Sequence, residues 1–556
     1  MFKCSNKTTD QNLFSSINQF LTGKSLNIYE DTKEWHNQFR QQVTDRIDEE
    51  IFRPLFCPDN GAPNAPIRIL VSMMVLKESC GLSDSQLFEA CRFNLLYRKA
   101  LGLSNIDDSL PAESTYYLLR KHIVGWEKAG NNNLIELCFK QITKSQIIEF
   151  HVNGKKIRMD SKLLGSNIAW YSRYELIHET VRKAYRSLKS GKNSLLLNES
   201  EITLLENIIG ESGDKVSYRS NKSEIDAKLL ELGVVIYKII NQIGACLSDE
   251  LQLLVRVFGE QYLVTDGVVC PRAKEEISAD SVQSPHDPDC TYRQKNDNQI
   301  KGFSMNVTET CDNAQPLNLV TDVIVDVASV ADNKFLKPAI ESTKQQTGCQ
   351  SIKSVNSDGA YHSVENQDYC NENDIDLILS GIQGKDSRYD LFLDNNGELL
   401  ITDLQTSTVI PCRKVKSRKP DVPAKWSIRG DKGNYRYFTQ QQIDTCSLRK
   451  QIAARSKEEL NVRNNVEATI FQLGYHYPNN KSRYRGLSKH RIWANLRCIW
   501  VNFMRILKFL SQNGSNFVES AKNQRFLPQF LAKFVATLFV MCFFKKNRLI
   551  LQKNEH

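Results

Sequence analysis

Over roughly the first 130 residues apolar positions recur every three to four places, the spacing of amphipathic helices. Residues 66–77 carry one such pattern and Gly81 interrupts it. Ser83 followed by Gln86 then makes a capping-box signal for a second helix through Leu87, Cys91 and Leu95. Residues 111–115, Pro-Ala-Glu-Ser-Thr, open a further helix through Leu118, Leu119 and Ile123. Two helices joined by a short glycine-containing turn have the outline of a helix-turn-helix, although any helical bundle produces the same outline. From Lys155 the period changes to two: Ile157 and Met159 alternate with charged residues, predicting a half-buried strand that ends at Asp160. Residues 171–259 return to helical spacing, as an insertion of paired helices with solvated charged faces, and 271–298 are polar and loop-like. Strand patterns follow at 302–307 and 319–325, then an amphipathic helix through Leu336, Ile340 and Thr343, then a strand over 352–355 with Asp358 just beyond its end. The apolar run 375–379 reads as a strand buried on both faces. Residues 391–393 and 399–401, around Asn395-Asn396-Gly397, read as a hairpin, and 466–473 as a helix carrying Glu467.

Without its two insertions this order is that of an RNase H-like α/β domain. The expected organisation is therefore a helical N-terminal DNA-binding domain over 1–150, an RNase H-like catalytic domain over 151–505, and a helical tail over 506–556. The catalytic domain would carry a mostly helical insertion at 171–290 and a β-rich one at 385–445. In open α/β sheets ligands and reacting groups gather beyond strand ends, where Asp160 and Asp358 are expected.

Composition changes this picture little. With 556 residues, 41% hydrophobic and 25% charged, the chain has ample material for large cores, which excludes disorder as its main state. The net charge of +9 is a mild excess that suits a polyanionic partner without demanding one. Fifteen cysteines are scattered with no Cys-x-x-Cys pair, as expected of free thiols in a reducing cytosol. The N-terminus lacks the apolar stretch of a signal peptide. Residues 530–544 are apolar but interrupted by Lys533 and shorter than the roughly 20 residues of a spanning helix, so they read as a terminal helix packed on the body or on another subunit. No membrane association is expected.

The candidate chemistry lies in three acids, Asp160, Asp358 and Glu467. Singly, an Asp after a strand is a common turn or cap residue and a helix Glu is usually solvated. Together they stand where this fold brings carboxylates to one point, and gathered carboxylates suit hard divalent cations. Two such ions can activate a water or a DNA 3′-hydroxyl and stabilise the departing oxygen. Downstream of Glu467 lie Lys481, Arg483, Arg485, Lys489, His490 and Arg491, interleaved with Tyr475, Tyr477, Tyr484 and Trp493, a pattern suited to phosphates and an unpaired base. A second basic run, with Arg413, Lys414, Lys416 and Arg418, lies in the β-rich insertion and is placed to follow a duplex backbone.

Three stretches, residues 158–169 around Asp160, 357–363 around Asp358, and 465–470 with 482–487, resemble bacterial insertion-sequence transposases of the Asp-Asp-Glu class. The N-terminal half resembles the InsH-type transposase domain, with 66–96 and 111–115 as landmarks. The resemblance spans roughly residues 30–505. It implies DNA cleavage and strand transfer at the terminal inverted repeats of a mobile element, with two Mg²⁺ (or Mn²⁺) ions held by Asp160, Asp358 and Glu467. It also implies double-stranded DNA as partner and substrate, a homodimer in the synaptic complex, and a nucleoid-associated place in a bacterial cytoplasm. In the wider clan a tyrosine stands seven positions before the glutamate, an arginine four before it, and a lysine seven after. Here Arg463 fits, Leu460 replaces the tyrosine and Gly474 the lysine, so Arg463, Arg483, Tyr484, Arg485 and Lys489 are expected to grip the DNA end. Cys412 and Cys446 stand alone and no zinc is expected. The alternatives are a repurposed transposase that binds its repeats without cutting, and a nuclease without strand transfer.

Overall fold

A computed structural model describes residues 1–5, 14–190, 199–242, 248–295, 298–312, 314, 317–349, 351–382, 384, 387–394, 397–415, 425–429, 434–474 and 481–513. The expected terminal helix at 530–544 and the hairpin residues Asn395 and Asn396 lie outside the described residues, as do Lys416, Arg418, Tyr475 and Tyr477. The chain is a mixed α/β structure with a helical N-terminal region and a curled mixed sheet.

The N-terminal region comprises α1 (Gly23–Glu30), α2 (Trp35–Gln42), α3 (Ile67–Cys80), α4 (Asp84–Phe93), α5 (Leu95–Ala100), α6 (Glu113–Lys128) and α7 (Leu134–Glu149). Helix α3 starts at Pro66 and stops at Gly81, which takes the left-handed conformation. It is buried all round, Arg68, Lys77 and Glu78 included, as a central helix must be. Ser83 and Gln86 form the expected capping box of α4. That helix ends at Phe93, because Asn94 caps a new one, α5, with its side chain on the amides of Leu96 and Tyr97.

The main sheet is built from β1 (Lys156–Gly165), then, beyond a hairpin of β2 (Tyr262–Thr265) and β3 (Val268–Pro271), from β4 (Thr291–Lys295), β5 (Asn298–Thr310), β6 (Val320–Val327), β7 (Ser354–Ser357) and β8 (Asp376–Leu379). Strand β5 pairs antiparallel with β1, with β4 and with β6, while β1, β7 and β8 run parallel. Two expectations are corrected. Strand β1 does not end at Asp160 but continues to Gly165, because β5 stays paired with it as far as Gly302. The supposed loop at 271–298 contains β4, which completes a hairpin with β5.

Between β1 and β4 lie α8 (Arg173–Ser190), α9 (Glu199–Gly210), α10 (Gly213–Arg219), α11 (Lys222–Gln242) and α12 (Asp249–Gln261), which with β3 enclose their own apolar core around Ile177, Ile236 and Leu254. The β2–β3 hairpin turns on Asp266 and Gly267, both at positive φ, the geometry of a two-residue primed turn. After β6 come α13 (Leu336–Thr347) and α14 (Val364–Glu372). The β-rich segment forms two three-stranded sheets, β9 (Tyr389–Leu393) with β10 (Leu399–Asp403) and β11 (Thr408–Ile410), and β12 (Arg413–Val415) with β13 (Lys425–Arg429) and β14 (Tyr435–Thr439). Tyr389, Ile401, Trp426 and Phe438 share one apolar cluster between them. Then follow α15 (Gln440–Ala454), α16 (Lys457–Asn461), α17 (Asn464–Gly474) and α18 (Leu487–Asn513).

Helix α18 joins the N-terminal helices to the sheet. Phe39, Met73, Phe139, Phe303, Met305, Trp493 and Phe503 belong to one continuous core, with α18 packed on α3, α7 and β6. No described helix is long and apolar enough to cross a membrane.

Candidate active site

Pleating assigns the β1 side chains to two faces. Ile157 and Met159 enter the core beneath α13, with Leu336 and Ile340. Arg158, Asp160, Lys162 and Leu164 take the opposite face, where their β5 partners are Glu309, Val307, Met305 and Phe303. This second face is covered by α17 and α18.

The parallel pairing of β1 with β7 ends at Arg158 and Asn356. Two residues further along each chain segment come Asp160 and Asp358, near enough for the Asp358 carboxylate to raise the Asp160 carboxyl. Asp358 leaves the strand and caps a short 3-10 turn, Gly359–Tyr361, its Oδ1 accepting from the Ala360 amide at 2.8 Å. A Cβ on Gly359 would come within 2.0 Å of the Gly381 carbonyl, so only glycine lets the turn after β7 lie against the one after β8. Tyr361, fully buried, donates to Asn306 Oδ1 at 2.6 Å and anchors the turn to β5.

Glu467, in the first turn of α17, is largely exposed, whereas the Asp160 side chain is only 12% exposed. Arg463 stands between them, with Nη1 3.1 Å from Asp160 Oδ2 and Nη2 2.7 Å from Glu467 Oε1. Its buried Nε has no hydrogen-bond partner among the described residues. Burial pushes the Asp160 carboxyl up to about 6 and the Asp358 carboxylate adds to the rise, against the opposing pull of Arg463 and the Ser161 amide.

A buried ionic network holds α17 in place. Glu309, wholly buried, accepts from Arg158 Nε at 2.6 Å, pairs with Arg505 at 2.7 Å, and accepts from Thr469 Oγ1 at 2.8 Å. Burial alone would raise the Glu309 carboxyl, but Arg505, Arg158 and the Thr469 hydroxyl outweigh it and hold it below the usual range. Thr469 lies two residues from Glu467, and Arg158 also donates to the Val462 carbonyl at 3.2 Å just before α17. Glu309 is not among the residues singled out from sequence. The available signal was Arg158 itself, since a guanidinium on a covered strand face needs a buried acid.

The basic and aromatic cluster after α17 divides sharply. Arg483 pairs with Glu78 of α3 at 3.0 Å and donates to the Leu82 carbonyl at 2.8 Å, and the Tyr484 hydroxyl bonds the same Glu78. His490 is buried between Ser482 and Gly486, and burial lowers it to about 4, so it is neutral near pH 7. Arg491 pairs with Glu127, and Trp493 lies in the core. These residues brace the N-terminal helices against the sheet instead of presenting a stacking surface. Lys481, Arg485 and Lys489 remain exposed, the first two donating to the carbonyls of Ile168 and Asn167 at 2.9 and 2.6 Å. Arg413 and Lys414 are exposed on β12, and the Lys414 ammonium lies 5.7 Å from the Trp426 ring centre.

Residues 27–122 match the family model described as Transposase domain (DUF772). The transposase-domain match begins within α1 and ends within α6, so it covers α3, which α18 and Arg483 brace against the sheet, while α7 lies beyond it. None of the curated proteins matches the chain.

The acids suit a divalent cation by donor chemistry. Asp160 and Asp358 are hard oxygen donors, and the Asp358 carboxylate acts on the buried Asp160, a repulsion that a cation would relieve. Glu467 is joined to them through Arg463, and among the described residues no three acidic, histidine or cysteine side chains stand together as a formed metal cluster.

Proposed function

We propose that this protein is an insertion-sequence transposase that cuts DNA at the ends of its element and joins the freed 3′-hydroxyl to target DNA. The observation that carries the reading is the meeting of Asp160 and Asp358 at the end of the β1–β7 pairing, with Glu467 one arginine away, in a chain whose N-terminal helices match a transposase domain. The strand order β6-β5-β1-β7-β8, with β5 alone antiparallel to its neighbour β1 and to β6, supports an RNase H-like identity for the sheet.

Asp160, Asp358 and Glu467 would hold the divalent cations, which supply Lewis acidity and a nucleophilic oxygen at neutral pH. The protein's own residues do the remaining work. Arg463 offers a guanidinium that can pass from carboxylate to phosphate as DNA enters, since both present paired oxygens to its fork. Glu309 and its partners keep α17, and so Glu467, at a fixed height over the sheet. Exposed Lys481, Arg485, Lys489, Arg413 and Lys414 contribute charge to a duplex partner, and cutting two ends together calls for a dimer on DNA.

The test is cleavage and joining of a labelled duplex carrying the element's terminal repeat, with Mg²⁺ and with EDTA. Metal-dependent cutting at the repeat boundary is the expected result. Specific binding without cutting would favour the repurposed DNA-binding protein, a reading to which the Arg463 link between Asp160 and Glu467 lends some support.

A further inference from the structure

We propose that Lys162 forms a phosphate subsite of this active centre, its ammonium filling the space beside Gly474 to take an oxygen of the DNA backbone next to the bond being cut. The inference rests on the transposase reading above. Lys162 follows Asp160 by two residues, so pleating sets it on the same face about 7 Å further along β1. Above it ends α17, where Gly474 lies two helical turns beyond Glu467 and therefore on the same helix face. A Cβ on Gly474 would lie 3.7 Å from Lys162 Nζ, which places the ammonium at the point where a side chain from that helix position would start.

Among the described residues Lys162 has neither of two ordinary roles. No carboxylate or carbonyl of these residues accepts from its ammonium. Nor does it bond the end of α17, where Arg497 takes two of the last-turn carbonyls, donating to Leu473 at 3.0 Å and to Gln472. The nearby guanidinium of Arg463 is already held by two carboxylates. Lys162 is thus a half-buried cation, one strand repeat beyond Asp160, with no acceptor among the described residues, a situation that an anionic oxygen would relieve.

The experiment measures binding of full-length protein to terminal-repeat duplexes in which single phosphates are replaced, one position at a time, by neutral methylphosphonates. Wild type and Lys162→Gln are compared, with cleavage followed in parallel. For the unmodified duplex the variant should bind roughly 10- to 100-fold more weakly, with a salt slope lower by about one. One neutralised phosphate beside the cleavage point should weaken wild type but leave Lys162→Gln unaffected. Adding Gly474→Lys to Lys162→Gln should restore both binding and the sensitivity at that position, which separates a lost contact from a folding defect. Equal sensitivity of both proteins at every phosphate, with wild type still cutting, would overturn the Lys162 assignment and leave the transposase reading intact. A wild type that neither binds nor cuts the duplex would overturn both.

Discussion

At the scale of single residues the site is governed by where charge is buried. Asp160 keeps its proton to about pH 6 in the folded protein, well above the value near 4 of an unfolded aspartate. An acid raised in this way binds more protons folded than unfolded, so metal-free stability should fall as pH rises from about 4 to 6. The loss would be on the order of 2–3 kcal/mol. Thermal or urea unfolding across this range should show that slope in wild type and its absence in Asp160→Asn; an equal slope in both would remove Asp160 as its source. Glu309 has the opposite sign. Its carboxyl is depressed, so its contribution is present above the usual glutamate range and is lost as the solution is acidified. Replacing Glu309 by Gln leaves Arg158 and Arg505 without their shared anion, which should cost about 3–5 kcal/mol. Metal-free unfolding near pH 7 measures this, and a change below 1 kcal/mol would show that the network contributes little.

Elements translate these charges into position. The β1–β7 register delivers Asp358 to Asp160, and the turn that carries Asp358 can lie where it does only because residue 359 has no side chain. Gly359→Ala should therefore move Asp358 and reduce cleavage at least tenfold, an estimate at the low end of what small displacements do to catalytic groups. DNA binding should change little. Unaltered cleavage kinetics in this variant would show that the turn tolerates the methyl group. Much at this scale was legible in the sequence. Period-two alternation located β1, an apolar run located β8, the Ser83–Gln86 pair marked the start of α4, and the strand pattern before Asp358 set that acid just beyond a strand end. Strand ends were not, because β1 reaches Gly165 only through its pairing with β5, a contact distant in sequence. The inward turn of Arg483, Tyr484 and His490 was equally hidden: their composition suits DNA, and only the burial of Glu78 on α3 shows that they serve as braces.

Taken whole, the N-terminal helices, α18 and one face of the sheet share a core, and the helical insertion encloses a separate one. The shared core should make α3, α18 and β5 open together, while α8 to α12 exchange as a separate unit. Hydrogen exchange of wild type and Trp493→Ala tests this. The substitution should destabilise α3 and β5 alike by about 3–5 kcal/mol and leave α8 to α12 nearly unchanged. Retained protection of α3 alone would mean that the N-terminal helices fold independently of the sheet. Such coupling ties the N-terminal helices, and the DNA recognition proposed for them, to the placement of the acids some 40 to 350 residues further along the chain. The most direct test of the account is to score Asp160→Ala, Asp358→Ala and Glu467→Ala separately for cutting and for binding of a terminal-repeat duplex in Mg²⁺. The account predicts that each loses cleavage and strand transfer by at least about 100-fold while still binding the repeat. Full cutting activity in any one of the three would contradict it.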